Sequence, residues 1–203
     1  MSKQTLPKQS GRNQLRIIGG KWRGRKISFP DVEGLRPTAD RIRETVFNWL
    51  APHIEGARCL DLFAGSGAMG FEALSRDADD VVLVDTDSEA IKHLRRNSEI
   101  LGDPRPHIYQ QRAEDFRATD PSYDIVFLDP PFAYSDLDQL LQSLEQHLPL
   151  APGAWIYLES AVNRAIVAPQ HWRLHRHKQA GQVAYRLFQR DTANQITATG
   201  ERE

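Results

Sequence analysis

The strongest motif in the sequence is Asp61-Leu-Phe-Ala-Gly65-Ser-Gly67-Ala-Met-Gly70. The apolar run over residues 57–63 predicts a strand, and residues 68–75 predict a helix. Glycines between a strand and a helix let the backbone turn tightly and approach a ligand closely. The motif therefore predicts a ligand-binding turn at the carboxyl end of a strand.

The three glycines match the dinucleotide fingerprint G-x-G-x-x-G, which is a weak signal by itself. Asp85 lies 20 residues beyond Gly65, where an acid that binds ribose hydroxyls is expected in either a dinucleotide or an adenosyl site. Asp61 separates the two interpretations, because its carboxylate would repel a pyrophosphate and attract a cation. S-adenosylmethionine carries an ammonium and a sulfonium group, so Asp61 favours the adenosyl site.

A second motif, Asp129-Pro-Pro-Phe132, follows an apolar run over residues 123–128. Two prolines fix φ and make a rigid turn with exposed carbonyl oxygens. The aromatic ring after them can stack on a flat base. By itself the motif would favour a plain turn at a strand end, but after the glycine motif it favours a base-binding site.

Strands and helices alternate along most of the chain. The predicted strands cover residues 57–63, 80–84, 108–111, 123–128, 154–159, 172–177 and 182–189, and the predicted helices cover residues 68–75, 88–101 and 137–148. Apolar strands that alternate with helices are typical of a parallel sheet covered on both faces. We therefore predict an α/β, Rossmann-like fold: a mostly parallel seven-stranded sheet with helices on both faces and a small N-terminal β-hairpin within residues 15–29.

Composition excludes several classes of protein. Hydrophobic residues make up 40% of the chain and charged residues 26%, which is typical of a globular protein. No apolar run reaches the roughly 18 residues of a membrane span, and the N-terminus lacks an apolar signal segment. The one cysteine, Cys59, excludes an internal disulfide and a CxxC zinc site, and its place in a predicted strand indicates a core residue. We expect a cytoplasmic protein that holds no metal.

Positive charge is concentrated near the N-terminus. Residues 1–43 contain eleven Lys and Arg against three Asp and Glu, a net charge of +8, and the other residues carry a net charge of −9. A basic segment on an acidic body is typical of proteins that bind a polyanion. The residues that we assign to this binding cluster in the predicted hairpin: Lys21, Trp22, Arg23, Arg25 and Lys26. Trp22 would either stack on a base or anchor the hairpin to the body.

A helix is predicted after this hairpin. Thr38 is suited to cap it, and it is expected to end near Leu50. Periodicity places on one face Ile42, Val46, Phe47 and Leu50. The charged residues that we place on the opposite face are Arg41, Arg43 and Glu44.

Further segments resemble a known family. They are residues 15–26 (LRIIGGKWRGRK), residues 35–50 (LRPTADRIRETVFNWL) and residues 180–187 (AGQVAYRL). Together with the two motifs they resemble the RsmD family of bacterial methyltransferases, and the resemblance covers residues 14–190. It implies a class I methyltransferase fold and the cofactor S-adenosylmethionine. It also implies methylation of the N2 amine of a guanine in small-subunit (16S) ribosomal RNA, with a 30S particle as the substrate.

The resemblance also assigns residues to the cofactor. Asp61, Gly65 and Gly67 belong to its methionine end, and Asp85 belongs to the ribose hydroxyls. A segment that closes over the cofactor near its carboxylate contains Arg36, Pro37 and Thr38. Many relatives place an acid near the adenine amine after the third strand of the fold. Here that place holds Arg112-Ala113-Glu114-Asp115, and we assign Ala113 and Glu114 to the cofactor, with Glu114 as the acid.

The residue types then suggest a mechanism. The exocyclic amine of guanine is a poor nucleophile, since its lone pair is delocalised into the ring. If Asp129 and the Pro130 carbonyl accept its two N–H groups, the lone pair faces the methyl donor, and positioning and electrostatics supply the acceleration. Phe132 would stack on the base, which has to be unpaired or flipped out.

Other functions remain open from the sequence. A DNA adenine-N6 or cytosine-N4 methyltransferase also uses an Asp-Pro-Pro-aromatic motif, but it normally brings a sizeable target-recognition domain. Asp61 and Asp129 disfavour a nicotinamide-dependent dehydrogenase, and the intact cofactor motif argues against a non-catalytic RNA-binding protein. We expect a monomer with four parts: disordered tails at residues 1–13 and 191–203, a basic hairpin and helix at 14–50, and a catalytic domain at 51–190.

Overall fold

The computed structural model describes residues 13–30, 39–118 and 122–192. The tails that we predicted to be disordered lie almost wholly outside these ranges. The segment with Arg36, Pro37 and Thr38 also lies outside them.

The N-terminal part begins with a small antiparallel hairpin. Strand β1 (Gln14–Arg16) pairs with β2 (Lys26–Ser28), and a 3-10 turn at Gly20–Trp22 lies between them. Helix α1 (Asp40–Leu50) follows. It begins two residues after Thr38, and the cap predicted there lies outside the described residues.

The rest of the described chain alternates between strands and helices. In order, the elements are β3 (Arg58–Asp61), α2 (Ala68–Ser75), β4 (Asp80–Asp85), α3 (Ser88–Leu101), β5 (His107–Gln110), β6 (Tyr123–Leu128), α4 (Leu137–His147), β7 (Leu150–Ala161), β8 (Trp172–Ala180) and β9 (Val183–Arg190). Helices α2 and α3 and strand β6 have the bounds that the sequence predicts. Strand β7 is longer at both ends than predicted.

Within the described residues, seven strands form one sheet in the order β5-β4-β3-β6-β7-β9-β8. The pairs from β5 to β7 are parallel, whereas β9 runs antiparallel to β7 and β8. Helices α1, α2 and α3 pack on one face of the sheet, and α4 packs on the other. The predicted Rossmann-like sheet, with helices on both faces and a separate hairpin, is therefore confirmed.

Cys59 lies in the core layer under α1, α2 and α3 and is fully buried. Burial raises the pKa of its thiol far above the ordinary value, and the nearby carboxylates of Asp124, Asp80 and Asp61 raise it further. A neutral buried thiol is a poor nucleophile. The interpretation of Cys59 as a core residue is confirmed.

The apolar face predicted for α1 is buried, but the predicted position of Arg43 is wrong. We placed it on the solvent face, but its side chain is fully buried, 3.6 Å from the equally buried carboxylate of Glu72 on α2. Arg43 also donates to the Arg16 carbonyl at 2.8 Å, and the Ile18 N–H donates to Glu72 at 2.9 Å. This ion pair therefore joins the hairpin to α1 and α2. The division into parts at residue 50 stays a prediction.

Candidate active site

The two sequence motifs meet at one edge of the sheet. Asp61 ends β3, Asp85 ends β4, and Asp129 directly follows β6. Strand β3 lies between β4 and β6, with Asp61 in register with Leu83 on one side and Phe127 on the other. Parallel strands place their carboxyl ends together, which is where open α/β sheets bind ligands.

Asp61 is a buried carboxyl group, only 2% exposed. Burial and the negative charges of Asp129 and Asp85 raise its pKa to about 8, although backbone N–H groups of Phe63 and Gly70 stabilise the charged form. A cation bound beside Asp61 would offset both the burial and the repulsion. This end of the site therefore suits a positively charged group.

The glycine turn after β3 is held by backbone hydrogen bonds. The Ala64 N–H donates to the Val84 carbonyl at 2.9 Å, and the Gly67 N–H donates to the Ala64 carbonyl at 2.6 Å. Gly65 and Gly67 have φ values of +48° and +78°, a left-handed conformation that glycine adopts without strain. A Cβ at Gly67 would also lie 2.5 Å from the ring of Phe71, so both conformation and packing require glycine there.

Asp85 is half-buried and connects the turn to the next helix. Its carboxylate accepts the N–H of Gly65 at 2.7 Å and the N–H of Asp87 at 2.9 Å. Asp87 in turn caps α3 by accepting the N–H groups of Glu89 and Ala90, both at 2.8 Å. These bonds fix the Asp85 side chain and leave it acceptor capacity for a ligand hydroxyl.

Ala113 and Glu114 lie in a 3-10 turn after β5. Ala113 is buried against the core layer that contains α4. Glu114 is half-buried, accepts the hydroxyl of Tyr134 and lies 3.3 Å from Arg112. Burial opposes ionisation of Glu114, but the bonds from Tyr134 and Arg112 outweigh it and lower the pKa of this carboxyl. Glu114 is thus an ionised acid near the site, partly engaged by its own neighbours.

The Asp129-Pro-Pro-Phe132 turn presents three different surfaces. Asp129 is half-buried and Pro130 is buried, whereas the Phe132 ring is 55% exposed. A large exposed ring beside a polar turn is available to stack on a planar ligand. The roles that the sequence assigned to Asp129, Pro130 and Phe132 stay predictions.

The loop after this turn is held by contacts that we did not predict from the sequence. The Tyr134 N–H donates to the Pro131 carbonyl at 2.8 Å, and the Tyr134 ring packs edge-on against Phe63 at 5.5 Å. Arg164, from the segment after β7, donates to the carbonyls of Tyr134 and Ser135. The loop that carries Phe132 is therefore tied to the glycine turn and to the segment beyond β7.

Two further buried polar residues lie at this edge of the sheet. Tyr157 and Glu159 are 0% and 4% exposed, and the Tyr157 hydroxyl donates to the Glu159 carboxylate. We did not single them out from the sequence. The signal was a charged residue near the end of an apolar strand, which is unusual unless the residue has a partner or a role.

The basic residues of the hairpin fall into two groups. Lys21 pairs with Asp103 at 3.3 Å, and Arg25 donates to the carbonyls of Ile100 and Leu101 at the end of α3. Arg23 and Lys26 are exposed, and their side chains bond to no described residue. Arg23 and Lys26 are therefore the residues of this cluster that are available to a phosphate backbone.

Trp22 is only 7% exposed and belongs to the core layer under α1, α2 and α3. Its backbone N–H donates to the Ser75 hydroxyl at 2.9 Å. Such a ring cannot stack on an RNA base without leaving the core. Of the two roles considered for Trp22, base stacking is wrong and anchoring of the hairpin is correct.

The described residues were also searched for membrane-spanning helices and metal-binding clusters. None of their helices is both long and apolar enough to cross a membrane. They also contain no group of three or more His, Cys, Asp or Glu side chains placed to hold a metal ion.

The chain is similar to known proteins. A family model described as Conserved hypothetical protein 95 matches residues 15–189. "Ribosomal RNA small subunit methyltransferase D" of Escherichia coli strain K12 is 48% identical, with 95% of this chain and 98% of that protein covered. The Haemophilus influenzae protein of the same name is 41% identical, with 93% of this chain and all of that protein covered.

A solved structure is also similar to this chain. It is described as "Putative methyltransferase yhhF" from Escherichia coli, and its sequence is 49% identical to this one. The superposition has a TM-score of 0.82 and covers 89% of this chain and 99% of that chain. The fold, the placement of the two motifs at one sheet edge and these similarities together show that the chain belongs to the RsmD family, described as Conserved hypothetical protein 95.

Proposed function

We propose that this protein transfers a methyl group from S-adenosylmethionine to the exocyclic N2 amine of a guanine in bacterial 16S ribosomal RNA. The main support for this proposal is that Asp61, Asp85 and Asp129 lie at the carboxyl ends of adjacent strands. The names of the relatives support ribosomal RNA as the substrate class. We further propose that the target atom is guanine N2 and that the substrate is the 30S particle. We also propose that the protein is a cytoplasmic monomer.

The residues present fit S-adenosylmethionine. Asp61 and Asp85 are acceptors, which suits an ammonium group and ribose hydroxyls and does not suit a pyrophosphate. Burial and the charges of Asp129 and Asp85 raise the pKa of Asp61, and a cation bound beside this carboxyl would offset both effects. Gly65 and Gly67 would contact the methionine end of the cofactor, and Ala113 and Glu114 would contact its adenine end. Arg36 and Thr38 would bind its carboxylate.

The side chains of the second motif would position the base. When bound, the cofactor supplies an activated methyl group. Asp129 and the Pro130 carbonyl would accept the two N–H groups of the amine and so leave its lone pair free to face the methyl donor. Asp129 would take the one proton that the nitrogen loses on methylation, along the hydrogen bond that it accepts from the amine. Phe132 stacks on the flipped base and excludes water from one face.

The hairpin would contribute to the affinity for RNA and not to the methyl transfer. Arg23 and Lys26 are exposed on the hairpin and carry charge that is not neutralised by the described residues. Contacts of this kind hold a phosphate backbone without reading its sequence. Specificity for one nucleotide would then come from the base pocket and from the shape of the particle.

Nucleoside mass spectrometry on small-subunit RNA tests the proposal. RNA from a deletion strain is compared as free RNA and as 30S particles, each incubated with purified protein and S-adenosylmethionine. We expect N2-methylguanosine at one position, with faster methylation of the particle. Methylation of adenine or cytosine, or of DNA offered in parallel, would contradict the proposal and favour the alternative amine methyltransferase.

A further inference from the structure

Positive charge is also concentrated in the segment that carries the last two strands. Residues 160–190 contain six Lys and Arg and no Asp or Glu, whereas residues 44–159 contain eight Lys and Arg against twenty-one Asp and Glu, a net charge of −13. Strand β8 lies within this basic segment and forms one edge of the described sheet. Neither the proposed mechanism nor the N-terminal hairpin involves β8.

Four of the six basic side chains are bonded to acids or to oxygen atoms of neighbouring segments: Arg164, Arg173, Arg186 and Arg190. The other two, Arg176 and Lys178, are exposed on β8. The Arg176 guanidinium donates to the carbonyl of the adjacent His175 at 3.4 Å. Neither Arg176 nor Lys178 forms an ion pair with an acid in the part of the chain that the structure describes. The charges of these two residues, which we call the β8 cations, are therefore available to an anion.

The β8 cations project from the same face of the sheet. Arg176 lies opposite Leu187 and Lys178 opposite Tyr185, and both partners belong to the core layer under α1, α2 and α3. Residues in register project toward the same face. The Lys178 ammonium lies 5.9 Å from the centre of the Trp49 ring on α1, and that ring stacks on Tyr185 at 5.5 Å. An aromatic ring attracts a cation at this distance, so Trp49 helps to hold the Lys178 ammonium in place.

The register of the sheet relates Lys178 to the active edge. Lys178 lies opposite Tyr185 of β9, which in turn lies opposite Glu159 of β7. The preceding residue of β7 pairs with Leu128, the last residue of β6. Lys178 is therefore level with the start of the Asp129 turn and three strands away from it. Adjacent strands are about 4.8 Å apart, so about 14 Å separates the two backbones.

The N-terminal hairpin lies over the opposite half of the sheet. Its backbone donates to the side chains of Ser75 on α2 and Asn97 on α3, the helices that connect β3, β4 and β5. The β8 cations lie beyond β6 in the other direction. An RNA strand carries a phosphate at every nucleotide, so a strand whose target base enters the site would extend to both sides of it. The two basic surfaces thus flank the strands that carry the active site.

Charges on an edge strand also have a simpler use, because they prevent two sheet edges from pairing. Either sign would serve that purpose, whereas all the charges of residues 160–190 are positive and stand against an acidic body. We propose that the β8 cations bind phosphates of the ribosomal RNA near the target nucleotide, as a second RNA-binding surface beside the hairpin. This inference rests on the proposed methylation of ribosomal RNA. Contacts of this kind position the substrate and carry no sequence information.

Filter binding to 30S particles over a salt series tests the β8 cations. The double variant Arg176→Ala, Lys178→Ala should flatten the dependence of log K on log[salt] by about 1.4, since each single-strand phosphate contact contributes about 0.7. Its kcat/KM for methylation should fall at least about tenfold through KM, with kcat unchanged, because the lost contacts hold substrate and transition state equally. Calorimetric affinity for S-adenosylmethionine should be unchanged.

Two control variants separate charge from other effects. Arg176→Lys, Lys178→Arg keeps both charges and should bind particles with the wild-type slope. Lys92→Ala, Arg95→Ala removes two charges from exposed positions of α3 and should also keep that slope. If the alanine variant of the β8 cations associates or does not fold, Arg176→Gln, Lys178→Gln keeps polar side chains on the edge strand and repeats the measurement.

Each outcome supports or overturns the proposal. Parallel slopes for wild type and the charge-free β8 variant would overturn it and leave the β8 cations with the protection of a sheet edge. The same binding series on protein-free 16S RNA should show the same flattening. A loss confined to assembled particles would indicate a ribosomal protein as the partner and would also overturn the proposal. Absence of N2-methylguanosine from the wild-type product would instead refute the proposed function, because the binding slopes do not depend on which atom is methylated.

Discussion

The carboxylate of Asp85 accepts the backbone N–H of Gly65 at 2.7 Å, so the acid at the end of β4 holds the turn at the end of β3. The same carboxylate accepts the N–H of Asp87, the capping residue of α3. One side chain thus connects two of the loops that would surround a cofactor. A substitution of Asp85 should therefore affect the turn as well as any contact with ribose.

The first prediction concerns this double role. Asp85→Ala should weaken binding of S-adenosylmethionine by about 1–3 kcal/mol, because polar partners are left unpaired. Calorimetric titration measures the change. Asp79→Ala, at an exposed acid just before β4, is the control and should bind like wild type. Unchanged affinity in Asp85→Ala would remove this residue from the cofactor site.

The second prediction concerns stability and pH. The folded protein holds the Asp61 proton up to a pH of about 8, whereas an unfolded chain releases it near pH 4. The native state therefore loses stability as pH rises from about 4 to about 8. Asp61→Asn is neutral at every pH and should raise Tm more at pH 8 than at pH 5, while weakening cofactor binding. An equal change in Tm at both pH values would show that Asp61 is ionised in the free protein.

The third prediction concerns turnover. Asp129→Ala should lower the rate of RNA methylation by at least about 100-fold, which is the usual loss for one positioned polar group. Binding of S-adenosylmethionine should persist, because Asp129 raises the pKa of Asp61 and its removal favours the ionised form of Asp61. Asp136→Ala is the control, an exposed acid before α4 whose side chain makes no capping bond. Near-normal turnover in Asp129→Ala would exclude its role as amine acceptor.

The fourth prediction concerns RNA affinity. Removing Arg23 and Lys26 together should flatten the dependence of log K on log[salt] by about 1.4, since each single-strand phosphate contact contributes about 0.7. Filter binding to 30S particles over a salt series measures the slope. The double variant Lys92→Ala, Arg95→Ala removes the same charge from exposed positions of α3 and serves as the control. Parallel slopes for the hairpin variant and wild type would mean that the hairpin does not contact phosphates.

The fifth prediction concerns the buried ion pair. Arg43→Met should lower the free energy of unfolding by about 3 kcal/mol, because it leaves Glu72 buried without its partner on α1. The exposed neighbour Arg41→Met should change it by less than about 0.5 kcal/mol. Urea denaturation compares the two variants. Similar values for both would show that Arg76, which also pairs with Glu72 at 2.8 Å, suffices to hold that carboxylate.

The sequence by itself determined the elements whose signals are local. The bounds of α2, α3 and β6 follow from apolar patterning and adjacent turn residues, and they agree with the structure. Both motifs are contiguous, and the position of each at the end of a parallel strand places them at one edge. The sheet and the three-acid edge could therefore be predicted before any contact was known.

Only the tertiary structure decided which polar residues are buried and which are neighbours. Arg43 lies three and four positions before Val46 and Phe47, so helical spacing puts it on their face, but only the opposing Glu72 makes its burial tolerable. Trp22 is buried because the hairpin packs on α2. Leu158, the residue before Glu159, pairs with Leu128, the residue before Asp129, and no local pattern encodes that pairing, because register depends on contacts between distant segments.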